Sequence, residues 1–188
     1  MKKHLRQRLR RILTEIPEEQ ARLHSAKACQ LLTAEPEYAK AEVMMVFLSL
    51  PGEIDTTALC LKAWQDHKRV LAPRVSWEQR RMIPVEIRSL THDLTITGLG
   101  LREPAVGTPI PASLIDLVVV PGLGFDVYGN RLGRGRGFYD RFLASPDFRG
   151  VACALAFEEQ LVDQLPVGPL DRPVDVLVTH TRVRHFNH

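Results

Sequence analysis

LVVVPGLGFDVYGNRLGRGRGFYDRFL, residues Leu117–Leu143, passes through three kinds of segment in succession. Leu117–Val120 is a short, mostly β-branched apolar run closed by Pro121-Gly122. That pattern suits a strand buried in a parallel sheet. Glycines at 129, 133, 135 and 137 follow, interleaved with Arg131, Arg134 and Arg136. From Phe138 the period becomes helical, with Phe138, Phe142 and Leu143 on one face. Strand, glycine-rich basic loop and helix start make a layout in which backbone N–H groups meet an anion. Arginines between the glycines add fork-shaped donors matched to phosphate oxygens. The stretch reads as a polyphosphate-binding loop. Its competitor is a solvated surface loop, since the glycines fit neither G-x-x-x-x-G-K-S/T nor G-x-G-x-x-G. Asp140, just beyond the basic loop, suits Mg²⁺ held by one or two carboxylates plus substrate phosphates. On its own it is equally a helix-start carboxylate facing the dipole.

Outward from this stretch, the 188 residues make one ordinary domain, 45% hydrophobic and 25% charged, long enough for one substantial core. There is no apolar run of about 18 residues to span a membrane. A net charge of +3 does not demand a nucleic-acid partner. Cys29, Cys60 and Cys153 are odd in number and widely spaced, which argues against a disulfide framework or structural zinc and for a reducing compartment. They read as small buried apolar residues. The start is basic (Lys2, Lys3, Arg6, Arg8, Arg10, Arg11) but lacks a secretory core. A transit peptide is the alternative to a cytoplasmic protein; with no Ser-rich spacer, cytoplasmic is the expectation. The seven histidines, including His24, His180, His185 and His188, show no metal-ligand spacing.

Leu5, Leu9, Ile12 and Leu13 fall at helical spacing, predicting a helix over 2–14 with a cationic outer face. Pro17, Glu18 and Glu19 start a second helix reaching about Ala34. Val43–Ser49 is a strand closed by Pro51-Gly52, and Asp55 or Thr56 caps the helix beyond it. Arg69–Ala72 and Met82–Ile87 are strands, the latter near an edge because Pro84 cannot donate to a ladder. Residues 88–116 read as a long loop. Val151–Phe157 and Val174–Thr179 complete the strands; Asp175 inside the last apolar run needs a partner or a metal, or else sits at the strand start facing solvent. The alternation implies a three-layer α/β/α domain spanning 1–188, Rossmann-like, with a mostly parallel sheet.

The motif P-G-L-G-F-D-x-x-G-N-R-L-G-R-G-R-G-F-Y-D-R-F-L resembles the signature of the 5-formyltetrahydrofolate cyclo-ligases, also called 5,10-methenyltetrahydrofolate synthetases. Gly133, Gly135, Gly137, Tyr139 and Asp140 match its G-x-G-x-G-x-Y-D core. Lys2, Leu5 and Arg6 match K-x-x-L-R, with Lys3 close by; Leu48, Ser49, Glu53 and Thr56 match L-S-x-x-x-E-x-x-T. Leu101–Pro104 resembles a family element near the substrate. The chain departs from the pattern at His180, where glutamate is usual, and has Leu170-Asp171 where His-Asp is common.

The resemblance implies an ATP- and Mg²⁺-dependent enzyme that converts 5-formyltetrahydrofolate to 5,10-methenyltetrahydrofolate, with release of ADP and phosphate, through an iminophosphate. By the same resemblance, Lys2 or Lys3, Arg6, Arg131, Gly133, Arg134, Gly135, Arg136, Gly137, Phe138 and Tyr139 would contact ATP. Leu48, Glu53, Arg134, Gly135, Arg136, Gly137 and Phe138 would contact the folate. Arg134 and Arg136 would stabilise the transferring phosphoryl group, and Asp140 and Asp175 would hold Mg²⁺. A monomer is expected, with a dimer as the alternative, acting on small molecules without nucleic acid or membrane. A non-catalytic nucleotide- or folate-binding protein is the second reading. A basic RNA-binding module is the third, weakened by the lack of aromatics among Lys2–Arg11.

Overall fold

The structure, a computed structural model, describes residues 1–98 and 100–188. In chain order its helices are α1 (Lys2–Glu15), α2 (Glu18–Thr33), α3 (Pro36–Lys40), α4 (Thr57–Gln65) and α5 (Phe138–Leu143). The strands are β1 (Val43–Val46), β2 (Arg69–Ser76), β3 (Arg81–Ile87), β4 (Leu94–Ile96), β5 (Arg102–Pro104), β6 (Leu117–Val120), β7 (Gly124–Asp126), β8 (Arg131–Leu132), β9 (Val151–Leu155), β10 (Leu161–Val162), β11 (Val176–Val178) and β12 (Val183–His185). Seven of them form one sheet in the order β12-β11-β9-β6-β1-β2-β3. Its five inner strands run parallel, and β3 and β12 are antiparallel edges.

The two faces of the sheet follow from side-chain alternation. Met44, Val46, Leu117 and Val119 face Leu9 and Leu13 of α1, Ala28 and Leu32 of α2, and Leu59 of α4. Val43, Met45, Val118 and Val120 face the other way, onto Phe125, Phe142 and Phe148. All residues of β1 and β6 are buried, as unbroken apolar runs in a doubly covered sheet require. The three layers are unequal. One face carries three long helices; the other is closed by the six-residue α5 and loops.

Two sequence expectations change. β2 runs on to Ser76, because Pro73 lies opposite Pro84 and beyond Leu71, the last β1 partner. Neither proline is then asked for an N–H. The expected 88–116 loop contains the β4–β5 hairpin and a 3₁₀ turn at Ala112–Leu114. All three cysteines are buried thiols. Burial pushes Cys29 up to about 11 and Cys60 up to about 12, which leaves both unreactive.

Gly150 takes the chain into β9, where the Val151 N–H donates to the Asp116 carbonyl. A Cβ at Gly150 would meet the Asp116 oxygen at 2.6 Å and that of Ile115 more closely still. Both neighbours are backbone at the mouth of the central sheet and cannot swing aside. Gly150→Ala is therefore expected to destabilise by about 1–3 kcal/mol. An unchanged urea midpoint would contradict it.

Candidate active site

The chain passes from β1 to β2 on one side of the sheet and returns through β6 to β9 and β11 on the other. The connections leaving β1 and β6 therefore diverge and open a crevice at the carboxyl ends of these strands, where open α/β sheets bind ligands. Phe47 and Leu48 after β1 and Pro121 and Gly122 after β6 line a cleft of about 940 Å³ at this point. That volume suits a small-molecule site.

Nine Lys or Arg residues and four carboxylates line the cleft, an excess of five positive charges in a chain whose net charge is +3. The positive charge is thus concentrated here rather than spread over the surface. Helix α1 contributes Lys2, Arg6 and Arg10. Arg6 donates through Nε to the Gly133 carbonyl at 2.9 Å. Lys2 forms an ion pair with Asp171. Lys3 is exposed and outside the lining, so the structure places Lys2 in the cleft and not Lys3.

The glycine loop forms the opposite wall. After the β7–β8 turn, Gly133–Gly137 leads to α5, with Gly135 at φ +105 and Gly137 at φ +69. Both lie in the region side chains avoid, so glycine is needed at these positions. Arg134 grips one oxygen of Glu53, through Nε at 3.0 Å and Nη2 at 2.8 Å. The second Glu53 oxygen accepts the Leu50 N–H at 2.9 Å. Two residues both expected to contact the folate, Arg134 also the ATP, are therefore joined to each other across the cleft. The Arg136 guanidinium lies over Trp77, 5.4 Å from the ring centroid, and Trp77 meets Phe138 edge-on.

Arg131 lies deepest, its side chain only 4% exposed. It reaches Asp140 Oδ1 through Nη2 at 3.1 Å and the Pro121 carbonyl through Nη1 at 3.3 Å. It also packs against the Tyr139 ring, 5.6 Å from its centroid. Burial, then the charge of Glu53, pushes the Tyr139 hydroxyl far above its ordinary value despite Arg131. Asp140 Oδ1 also accepts the Arg172 N–H at 3.1 Å. Asp171 is desolvated by burial, which alone would raise it. The Lys2 hydrogen bond, the Gly168 amide and the charges of Lys2 and Arg131 outweigh this and hold it below the usual carboxylate range.

Asp175 is not brought to Asp140. Its carboxylate accepts the Ala152 N–H at 2.8 Å, where β9 and β11 begin. Strands in a parallel sheet share one direction, so this is the end opposite the cleft. Asp175 tethers the strand start, and the second carboxylate lining the cleft near the loop is Asp171. Met82, Trp77 and Arg172 also line the cleft, and none of the sequence motifs reaches them. Leu101–Glu103 does line the cleft: Arg102 Nη2 donates to the Ser49 carbonyl at 3.3 Å, and Glu103 accepts the Val75 N–H at 3.2 Å.

A family model for 5-formyltetrahydrofolate cyclo-ligases matches residues 1–180. The chain is 35% identical over 182 residues to the 5-formyltetrahydrofolate cyclo-ligase of Escherichia coli (strain K12), covering 95% of this chain and 98% of that protein. It is 30% identical over 184 residues to the enzyme of that name from Mus musculus, covering 93% and 91%. The solved structure of Aquifex aeolicus 5,10-methenyltetrahydrofolate synthetase aligns with a TM-score of 0.87 at 31% identity, over 100% of this chain and 93% of that one. A Mycoplasma pneumoniae 5,10-methenyltetrahydrofolate synthetase, 18% identical, has the same fold with a TM-score of 0.78 over 95% and 98%.

Proposed function

The chain belongs to the 5-formyltetrahydrofolate cyclo-ligase family, and from that premise we propose how its cleft carries out the reaction. The enzyme converts 5-formyltetrahydrofolate to 5,10-methenyltetrahydrofolate in an ATP-dependent reaction. In the proposed sequence the formyl oxygen attacks the γ-phosphorus as the bond to ADP breaks. N10 of the folate then attacks the activated carbon, phosphate departs with the C–O electron pair, and the N10 proton is released. No protein nucleophile is required. The protein's share is alignment and stabilisation of charge on the phosphoryl oxygens.

The observation that carries this reading is the positive excess around the Gly133–Gly137 loop at the sheet's switch point. Lys2, Arg6, Arg134 and Arg136 supply charged donors, and Arg131 stiffens the floor beneath them. Phe47, Leu48 and Trp77 offer apolar walls for the ring system. Glu53 offers a carboxylate to the parallel N–H donors of a pterin. With substrates bound, Arg134 and Glu53 would exchange each other for phosphate and pterin.

The donor set also fits Mg²⁺. Asp140 Oδ2 and Asp171 Oδ1 accept no hydrogen bond from the described residues, so each has an oxygen to offer. These two carboxylates would hold the ion together with the phosphates, and its charge would favour departure of ADP.

The test is spectrophotometric. 5,10-Methenyltetrahydrofolate absorbance should rise only when 5-formyltetrahydrofolate, ATP and Mg²⁺ are all present; a flat trace with the complete mixture would overturn the assignment. Arg136→Ala is expected to lower kcat by about 10–100-fold at an unchanged melting temperature. Arg136 is exposed, and its backbone carbonyl rather than its side chain anchors Arg141. Near wild-type turnover would remove its guanidinium from the chemistry.

A further inference from the structure

Away from the cleft, three groups that the reaction does not use converge from distant parts of the chain. His24 comes from α2, Glu159 from the 3₁₀ turn Glu158–Gln160, and His180 from the residue pair beyond β11. One ligand atom of each lies within 4.8 Å of the other two. None of the three lines the cleft. The imidazole rings are stacked, with centroids 3.6 Å apart and planes inclined by 9°, so one ring has to turn out of the stack for both to present an in-plane nitrogen to one ion.

His24 Nδ1 and Glu159 Oε2 are both buried without a hydrogen-bond partner. Leaving two such atoms unpaired is costly. The neighbouring Glu158 shows the contrast: it accepts the Thr179 and Thr181 hydroxyls at 2.6 Å each and pairs with Arg182. The carboxylate left over is the one among the histidines. His180 Nδ1 accepts only a long bond, 3.4 Å, from the Glu158 N–H. Two imidazole nitrogens and one carboxylate oxygen are the donors of zinc-class sites that keep a fourth position for water, whereas Mg²⁺ and Ca²⁺ favour oxygen alone.

We propose that His24, Glu159 and His180 bind one zinc-class divalent cation, at a site separate from the catalytic cleft that fastens α2 to the ends of β9 and β11. Because the ligands converge only in the folded chain, the ion stabilises the native state.

The full chain, stripped by dialysis against chelator, would be titrated calorimetrically with Zn²⁺ in excess Mg²⁺, and with Co²⁺ followed by visible absorption. The expected results are one Zn²⁺ per chain, a tetrahedral Co²⁺ spectrum and a melting temperature that rises with Zn²⁺. His24→Gln and His180→Gln, checked for folding by circular dichroism, should each weaken Zn²⁺ at least about tenfold and abolish the thermal shift. His185→Gln serves as a control, because His185 lies by Glu35 and Glu37, opposite Val176 at the other end of β11 from His180; it should change neither. The proposal is overturned if wild type takes up no Zn²⁺, if the His24 and His180 variants bind as wild type does, or if only His185→Gln loses the ion.

Discussion

Asp140→Asn is expected to remain folded and to lose about two to three orders of magnitude in kcat. Asparagine keeps the size of the side chain and one carbonyl oxygen for the Arg131 and Arg172 N–H groups that Asp140 Oδ1 now accepts. What disappears is the negative charge. The guanidinium of Arg131, with a side chain 4% exposed, then loses its ion pair. The oxygen opposite, proposed to meet Mg²⁺, becomes an amide that cations avoid. A stability loss of about 1–3 kcal/mol should accompany the change. Turnover should recover in part at high Mg²⁺ if the ion still enters weakly. A kcat within threefold of wild type, at any Mg²⁺ concentration, would remove Asp140 from the mechanism.

Asp126→Ala should have the largest effect on stability, a loss of about 3–5 kcal/mol in urea unfolding. Asp126 is 1% exposed and forms no ion pair among the described residues. Instead its carboxylate accepts the N–H groups of Tyr128, Asn130 and Leu165 at 2.9 Å each and the Asn130 side chain at 3.0 Å. The β7–β8 turn and the segment near Leu165 are stitched to one side chain. Alanine would leave these buried donors without an acceptor. Asp126→Asn should fall between, since its amide group turns N–H toward N–H. A loss below about 1 kcal/mol in Asp126→Ala would mean that the turn holds without the carboxylate.

Much of this was legible in the sequence. Unbroken apolar runs closed by Pro or Gly marked β1 and β6, because a strand covered on both faces has no polar side to show. Lys2, Arg6, Leu48, Glu53 and the Gly133–Asp140 loop, expected at one site, do line one cleft. Asp175 shows where such reading ends. A carboxylate at the margin of an apolar run is visible in sequence, but which end of the sheet it occupies depends on where the strand begins. The strand begins at Val176, two residues after the predicted start, so Asp175 precedes it. Asp171 was noticed only as half of the Leu170-Asp171 departure and given no role in the site, for a related reason: it stands in a loop with no period, and its ion pair with Lys2 identifies its place. The His24–Glu159–His180 cluster has no sequence signal, because ligands separated by so much chain have no spacing to recognise.

The ion pair between Lys2 and Asp171 also bears on biosynthesis. The cleft is sutured from α1 and from a loop beyond β10, the paired residues lying 169 positions apart in the chain. A ribosome-bound chain can therefore assemble β1, β2 and β6 and still have no working cleft until the segment carrying Asp171 has emerged. Activity in this protein is a report that segments made far apart in time have met.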